Sequence, residues 1–189
     1  MLQQAGLLEL LAAEMHIAEL EQALAEARSA ATIDPLTGAL NRRGFDSAFQ
    51  REVARSRRSG AGLALALIDL DNFKRFNDAH GHHAGDQALI HLVHVLHAAM
   101  RPSDVLSRFG GEEFVLLLPA TALTDANVAI ARFQRQLAAQ PLSGQSVVLT
   151  FSAGVVVQQT GESLDALIQR ADSAAYAAKR AGKNCVVSG

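Results

Sequence analysis

The stretch RFGGEEFVLLLP, residues 108–119, places two adjacent carboxylates directly before a run of apolar residues. Phe114 to Leu118 have the continuous hydrophobicity of a strand that is buried on both faces. Glu112 and Glu113 come just before this strand, behind a Gly-Gly pair that predicts a two-residue hairpin turn at Gly110-Gly111. Two like charges at the mouth of a core repel each other and lose water. The two glutamates therefore need a metal, a substrate or solvent to stabilise them.

A second acidic pair follows another apolar run. Asp69 and Asp71 come at the end of LALALI, and the alternation of a strand predicts that they share one face. Hard oxygen ligands from two different elements favour Mg²⁺ or Mn²⁺ over zinc. The alternative, from these residues alone, is that the glycines merely form a hairpin and the acids face water.

Composition narrows the class of protein. The chain has 189 residues, of which 49% are hydrophobic and 19% are charged, with a formal net charge of −2. This near-neutral balance argues against a nucleic-acid partner that is bound through its phosphates. The sequence contains no apolar run of about 18 residues, so we expect no membrane segment. The N-terminus lacks the basic region of a secretory signal and Cys185 is the single cysteine, so we expect a cytoplasmic location.

The first thirty residues repeat an apolar pattern every seven residues. The two repeating positions hold Leu10, Ile17 and Leu24, followed in each case three residues later by Ala13, Leu20 and Ala27. One interpretation is an amphipathic helix that packs on its own domain; the other is a parallel coiled coil that pairs two chains. We favour a coiled-coil or signalling helix over residues 1–31. Three heptads are marginal in isolation, so this pairing would need a further contact.

The remaining chain alternates helices and strands unevenly. We predict helices over 41–58, 83–100, 124–139 and 163–180, and strands over 63–70, 105–108, 114–118, 145–157 and 184–187. Because at least one hairpin interrupts the alternation, an α/β (α+β) fold with an antiparallel element fits better than a purely parallel sheet.

Six of the histidines form two groups in the sequence. His80, His82 and His83 are clustered, and His91, His94 and His97 follow with a spacing of three residues. A zinc site requires three or four converging ligands. We interpret the second group as partly buried or surface residues of a helix, and we disfavour zinc.

Several motifs together resemble those of the GGDEF domain family, the diguanylate cyclases, over roughly residues 32–188. In chain order they are DPLTGALNRRGF, IDLDNFKRFND, GHHAGD, RFGGEEF, SAGV and AAKRAGKN. Glu112 replaces the aspartate of the family name. The resemblance implies a nucleotidyl-cyclase, polymerase-palm-like fold over residues 32–189, with a mostly antiparallel central sheet that is flanked by helices and preceded by a long N-terminal helix.

The resemblance also implies an enzyme that joins two GTP molecules into cyclic di-GMP and releases two pyrophosphates. Asp69 and Glu112 would bind metal, with the Leu70 carbonyl as a further oxygen ligand. Glu113 would either complete the metal site or deprotonate the attacking 3′-hydroxyl. Two Mg²⁺ or Mn²⁺ ions per active site are implied, and these would act on the phosphate that is attacked.

The substrate-binding residues follow from the same resemblance. Asn77 and Asp86 match positions that hydrogen-bond guanine, and an ionised Asp86 would disfavour adenine, which lacks the matching donor pair. The other positions implied in GTP binding are Phe73, Lys74, Gly110, Gly111, Lys179 and Lys183. Lys183 departs from the arginine that is often found in the family, which removes the bidentate contact.

Dimerisation and product inhibition are implied as well. Because each domain holds one GTP, two domains must face each other in a homodimer. Arg101 and Asp104 match an RxxD site for inhibition by cyclic di-GMP, and Arg132 would be a secondary contact from a neighbour. The alternatives are a catalytically silent module that binds GTP or cyclic di-GMP as an effector, and a cyclase for adenine-containing products.

Overall fold

The computed structural model describes residues 14–23, 27, 31–142 and 147–189. Residues 14–23 and 27 are helical and exposed. The apolar side chains of Met15, Ile17 and Leu20 are 67%, 56% and 56% exposed. Three of the heptad positions, Leu10, Ala13 and Leu24, lie outside the described residues, so the coiled coil stays a prediction, as does the domain division at residues 31 and 32.

Five helices follow within the part of the chain that is described beyond residue 41. They are α1 (Arg42–Ser59), α2 (Phe73–His80), α3 (His82–Ala99), α4 (Leu123–Ala139) and α5 (Leu164–Arg180). Asn41 begins α1 by accepting a hydrogen bond from the Gly44 N–H, and Gly60 ends it with a φ of 69°. Four of the helices were predicted, but α2 was not. Over the described residues, none of the helices has the length and apolar character needed to span a membrane.

One mixed sheet is formed by the described strands. These are β1 (Leu63–Leu70), β2 (Val105–Gly110), β3 (Glu113–Pro119), β4 (Phe151–Val157) and β5 (Val186–Ser188), in the order β2-β3-β1-β4-β5. Neighbouring strands are antiparallel except for β4 and β5, which are parallel. The predicted mostly antiparallel sheet is therefore confirmed.

Helices cover both faces of this sheet, which explains why β1 is apolar without interruption. Ala64, Ala66 and Ile68 pack in a cluster with residues of α3 and α4. The alternate residues Leu65 and Leu67 pack on the other face with residues of α1 and α5. All eight residues of β1 are buried, so β1 is a rigid central strand that carries Asp69 near its end.

The structure corrects three boundaries, and the simplest is that of the last strand, which was predicted from residue 184 and begins at Val186. The two-residue loop of the hairpin is Gly111-Glu112, because a register irregularity between Arg108 and Gly110 moves Gly110 into β2, where it pairs with Glu113. The Gly110-Gly111 turn was therefore wrong by one residue. The strand predicted from residue 145 begins at Phe151: residues 147–150 lie outside the ladder, and 145 and 146 are not among the described residues.

Helix α5 lies unusually close to β4. A Cβ at Gly154 would come within 2.0 Å of the Ala171 carbonyl oxygen and 2.4 Å of the Ala175 backbone nitrogen. A glycine is therefore needed at this crossing for the helix to approach the sheet. The close approach brings the last turn of α5, which carries Lys179, to the end of β1.

Candidate active site

The sheet brings together carboxylates that are far apart in the sequence. Asp69 of β1 lies directly opposite Glu113 of β3 in the antiparallel register. The Leu70 N–H donates to the Glu112 carbonyl oxygen at 3.4 Å, which joins the end of β1 to the hairpin turn. The predicted group of Asp69, Leu70, Glu112 and Glu113 is thus contiguous in the fold.

The pKa values of Asp69 and Glu113, the two carboxylates that face each other, are both raised. Asp69 is 5% exposed, and burial raises its pKa; the Lys179 ammonium opposes this rise, whereas Asp71 and Asp172 add to it. The Glu113 residue is exposed, but partial loss of solvent still raises its pKa; the negative charges of Asp69 and Asp172 raise it further, and the Lys179 ammonium opposes the rise. Clustered acids of this kind are typical of functional sites.

One cation already contacts this cluster. The Lys179 Nζ lies 2.5 Å from the Asp69 Oδ2. Within the described residues, no three His, Cys, Asp or Glu side chains are arranged to hold a metal ion. The residues nevertheless fit a divalent cation, because oxygen donors from Asp69 and the hairpin lie close together. The contact of the Lys179 ammonium with Asp69 shows that positive charge is favourable at this position.

Asp71 is on the same face of the sheet as Asp69, as predicted, because Ser152, which pairs with Asp69, donates to the Asp71 carboxylate. β1 ends at Leu70, and the Asp71 carboxylate turns toward β4. It accepts hydrogen bonds from the Ser152 hydroxyl at 2.7 Å, the Thr150 hydroxyl at 2.8 Å and the Asn184 N–H at 2.9 Å. Asp71 therefore fastens the segment after α5 to the end of β1, and its oxygens are already used.

The hairpin turn is held by Arg108. Its Nε and Nη2 donate to the Gly111 carbonyl oxygen at 3.0 and 2.9 Å, and its Nη1 donates to the Asp34 carboxylate at 3.2 and 3.3 Å. Burial tends to raise the pKa of Asp34, but hydrogen bonds from Thr37 and the Arg108 guanidinium outweigh it and lower that pKa. The turn that carries Glu112 is thereby tied to the segment that precedes α1.

The residues predicted to bind guanine lie on neighbouring helices. Asn77 is on α2 and Asp86 is on α3. The Asn77 Oδ1 is buried without a hydrogen-bond partner among the described residues. A Cβ at Gly85 would come within 1.8 Å of that oxygen, so Gly85 is required for Asn77 to reach this position beside Asp86.

The residues predicted to contact the rest of GTP are more dispersed. Phe73 is buried at the first position of α2, and Lys74 beside it is exposed. The Lys183 Nζ donates to the Asn72 side chain at 2.6 Å, which holds it near the start of α2. Gly111 has a φ of 49°, in the left-handed region that glycine favours. Lys179 contacts Asp69, whereas Lys183 does not.

The predicted inhibitory residues lie in a separate turn between α3 and β2. The Arg101 N–H donates to the Asp104 Oδ2 at 2.8 Å, and the exposed Arg101 side chain is left to solvent. The Asp104 Oδ1 is buried and has no hydrogen-bond partner in the described part of the chain. On α4, the Arg132 Nη2 donates to the Ala99 carbonyl oxygen at 3.1 Å, which places Arg132 close to this turn in the same chain.

Four of the histidines line one cavity of about 440 Å³ beside α3, namely His80, His83, His91 and His94. The His91 Nε2 lies 2.8 Å from the Gln140 carbonyl oxygen, so this nitrogen carries the proton and His91 links α3 to the end of α4.

Sequence reasoning missed two contributors to the site. Asp172 lies on α5 seven residues before Lys179, which is two helical turns, and its charge reaches both Asp69 and Glu113. The Asp34–Arg108 ion pair was also missed, because Asp34 was interpreted only as a turn residue. The helical spacing of Asp172 and Lys179 was the one signal in the sequence that pointed to Asp172.

Two curated proteins are similar to most of this chain. Diguanylate cyclase DgcP of Pseudomonas aeruginosa is 43% identical over 163 residues, which are 85% of this chain and 24% of that protein. Cyclic di-GMP phosphodiesterase NbdA of the same species is 36% identical over 88% of this chain and 22% of its own length. The chain thus spans about a quarter of the length of these relatives, of which one is named a cyclase and the other a phosphodiesterase.

A solved structure resembles the chain over nearly its whole length. The coiled coil and GGDEF domain of DgcB from Caulobacter crescentus, in complex with c-di-GMP, has a TM-score of 0.88 and 31% identity, covering 96% of this chain and 97% of that one. The profile of the family described as "Diguanylate cyclase, GGDEF domain" matches residues 31–185. The chain belongs to the GGDEF domain family of diguanylate cyclases.

Proposed function

We propose that this chain is a diguanylate cyclase that condenses two GTP molecules into cyclic di-GMP and releases two pyrophosphates. The observation that carries the proposal is the buried Asp69 facing Glu113, with Glu112 in the adjoining turn and Lys179 in contact. A silent effector module has no need for this concentration of negative charge beside a glycine turn. The diguanylate cyclase named among the relatives supports the same activity.

In this proposal Asp69, Glu112, Glu113 and the Leu70 carbonyl hold two Mg²⁺ or Mn²⁺ ions. The bound ions supply polarisation of the α-phosphate and stabilisation of charge on the entering and leaving oxygens. The carboxylates provide the oxygen ligands that these hard ions prefer. Because several carboxylates lie close together, a divalent cation neutralises more of their charge than the single Lys179 ammonium does.

The reaction is two phosphoryl-type transfers. In each, the 3′-oxygen of one GTP bonds to the α-phosphorus of the other, the bond to the β-phosphate oxygen breaks, and pyrophosphate leaves with the electron pair. A base takes the proton of the hydroxyl. Glu113, which faces Asp69 beside the hairpin turn, either completes the metal site or accepts this proton.

Guanine recognition rests on Asn77 and Asp86, with Phe73 supporting the start of α2. The Asn77 Oδ1, which has no hydrogen-bond partner within the described ranges, is suited to accept from a donor of the base. Lys74, Lys179 and Lys183 supply positive charge for the phosphates, and Gly110 and Gly111 leave room for the nucleotide against the turn. Incubation with GTP or with ATP, each with Mg²⁺, tests this assignment: we expect GTP alone to be consumed, and equal turnover of ATP would contradict it.

The partner is a second copy of the chain. Each site holds one GTP, so the attacking hydroxyl must come from a facing domain, and residues 1–31 would keep two domains together as a coiled coil. Ile17 and Leu20, at the two repeating heptad positions in the described helical segment, are exposed and suited to such a contact.

Cyclic di-GMP also inhibits the enzyme in this proposal, through Arg101 and Asp104. The Asp104 carboxylate, whose Oδ1 has no hydrogen-bond partner among the described residues, is suited to the N1 and N2 donors of guanine, and the exposed Arg101 guanidinium can contact phosphate or stack on the base. Arg132, close to the same turn, is a further cation for this ligand.

Replacing Arg101 with alanine should relieve product inhibition because the phosphate contact is lost. We expect the concentration of cyclic di-GMP that halves activity to rise by about 10-fold or more, as for loss of a charged hydrogen bond. Initial rates at increasing product concentrations measure this. Arg135→Ala, an exposed arginine on α4, is the control and should leave inhibition unchanged; unchanged inhibition in Arg101→Ala would exclude the site.

A further inference from the structure

We propose that Lys179 is an exchangeable counter-ion, bound to Asp69 while the metal site is empty and released to the GTP phosphates when a divalent cation binds. This inference rests on the metal site of the proposed function. It assigns to one lysine two successive partners, and thereby couples metal binding to capture of the triphosphate.

The ion pair is well defined in the structure. The Lys179 Nζ and the Asp69 Oδ2 are 2.5 Å apart, and the Asp69 side chain is 8% exposed, whereas that of Lys179 is 37% exposed. A carboxylate buried this deeply stays ionised only with a compensating cation. Lys179 is the one lysine or arginine that forms an ion pair with Asp69, Glu112 or Glu113 within the described ranges.

The surroundings of the pair hold more negative than positive charge. Asp71 and Asp172 both lie close enough to Asp69 to disfavour its ionised form, and Glu113 faces it across the sheet. Lys183, a further cation just beyond the end of α5, is engaged by the uncharged Asn72 side chain. A single ammonium thus leaves a net negative charge that a doubly charged cation can neutralise.

The two cations compete for the same carboxylate. Lys179 cannot keep its contact with Asp69 beside a doubly charged ion, because like charges at such short range repel strongly in a partly buried site. Its side chain is partly exposed and flexible, so it can swing away without disturbing α5. The freed ammonium is then available to the phosphates, and by linkage nucleotide and metal each strengthen the binding of the other.

Metal binding in the absence of nucleotide tests this exchange. Titration calorimetry with Mn²⁺ at pH 8 compares the parent chain with Lys179→Met. Since the variant lacks the competing ammonium, we expect Mn²⁺ to bind about 10-fold more tightly, which corresponds to about 1.4 kcal/mol. Lys183→Met removes an equal charge from the same helix end without touching a carboxylate, and we expect its Mn²⁺ affinity to stay within about 2-fold of the parent.

A second measurement uses the parent chain and so does not depend on the folding of a variant. Acetic anhydride modifies free amines, and mass spectrometry of the peptides gives the rate of modification at each lysine. We expect Mn²⁺ alone to raise the rate at Lys179 several-fold and a non-hydrolysable GTP analogue to lower it again. Lys74, which forms no ion pair in the described part of the chain, is the internal reference for the effect of Mn²⁺ alone.

The outcomes separate this inference from the proposed function. Equal or weaker Mn²⁺ binding by Lys179→Met, or a rate at Lys179 that Mn²⁺ leaves unchanged, would overturn the exchange even if the parent converts GTP to cyclic di-GMP. A parent chain that binds no Mn²⁺ at all would overturn the metal site and the exchange together.

Discussion

Glu112→Ala is expected to reduce cyclic di-GMP synthesis by about 100- to 1,000-fold, the range seen when a group that stabilises transition-state charge is removed. Glu112 lies in the two-residue loop next to Asp69, and the variant would leave Asp69 and Glu113 to hold the metal ions without it. Initial rates of cyclic di-GMP formation with saturating GTP and Mg²⁺ measure the effect.

The effect should be on chemistry rather than on folding. The Glu112 side chain is half-buried in a turn, outside the two clusters that form the core, so we expect the free energy of unfolding to change by about 0.5 kcal/mol or less. Glu112→Asp keeps a carboxylate and restores the residue of the family name, so it should retain activity. An alanine variant with more than about a tenth of parental activity would contradict a metal-binding role for this residue.

Removing residues 1–30 is expected to lower specific activity by roughly 100-fold at submicromolar protein, because two domains that are no longer linked must meet by diffusion. Ala31 is kept because its carbonyl oxygen accepts a hydrogen bond from the Asn41 side chain, which begins α1. Specific activity measured over a range of protein concentrations should show the loss shrinking as the concentration rises.

Two matched constructions locate the cause of that loss. Fusing an unrelated parallel two-stranded coiled coil before Ala31 should restore activity at low concentration, whereas fusing a monomeric helix of the same length should not. If the truncated chain kept its full specific activity at submicromolar protein, residues 1–30 would have no part in pairing the domains.

The sequence predicted the two central strands, β1 and β3, correctly because they consist almost entirely of apolar residues. β1 and β3 are buried on both faces, so their apolar runs are nearly unbroken and their limits were correct within one residue. The helices α1 and α5 begin after Asn41 and Ser163, whose side chains cap them in the expected way. Local chemistry therefore decided these elements, and tertiary contacts did not override it.

Elements that depend on tertiary contacts were less predictable. α2 has eight residues and Phe73 as its one buried residue, so it lacks the repeated apolar spacing of a longer helix. The hairpin loop moved by one residue because a bulge near Phe109 changes the register, which the glycine pair alone does not indicate. The β-branched residues before Phe151 were interpreted as a strand, although residues 147–150 lie outside the ladder of the described sheet.

The role of Asp71 shows why site residues are harder to assign than strands. In the sequence, Asp69 and Asp71 look equivalent, because both follow the same apolar run and only Leu70 separates them. In the fold the partners of Asp71 are Thr150, Ser152 and Asn184, which are separated from it by 79, 81 and 113 positions. Only these long-range contacts distinguish Asp71, which stabilises the fold, from Asp69, which belongs to the candidate site.

The central claim is that this chain joins two GTP molecules at a site built around Asp69 and Glu112. Incubation of the chain with GTP and Mg²⁺, with cyclic di-GMP and pyrophosphate quantified by mass spectrometry and enzymatic assay, tests it most directly. The account predicts cyclic di-GMP as the product with two pyrophosphates for each molecule formed. Release of phosphate without cyclic di-GMP, or no consumption of GTP at all, would contradict it.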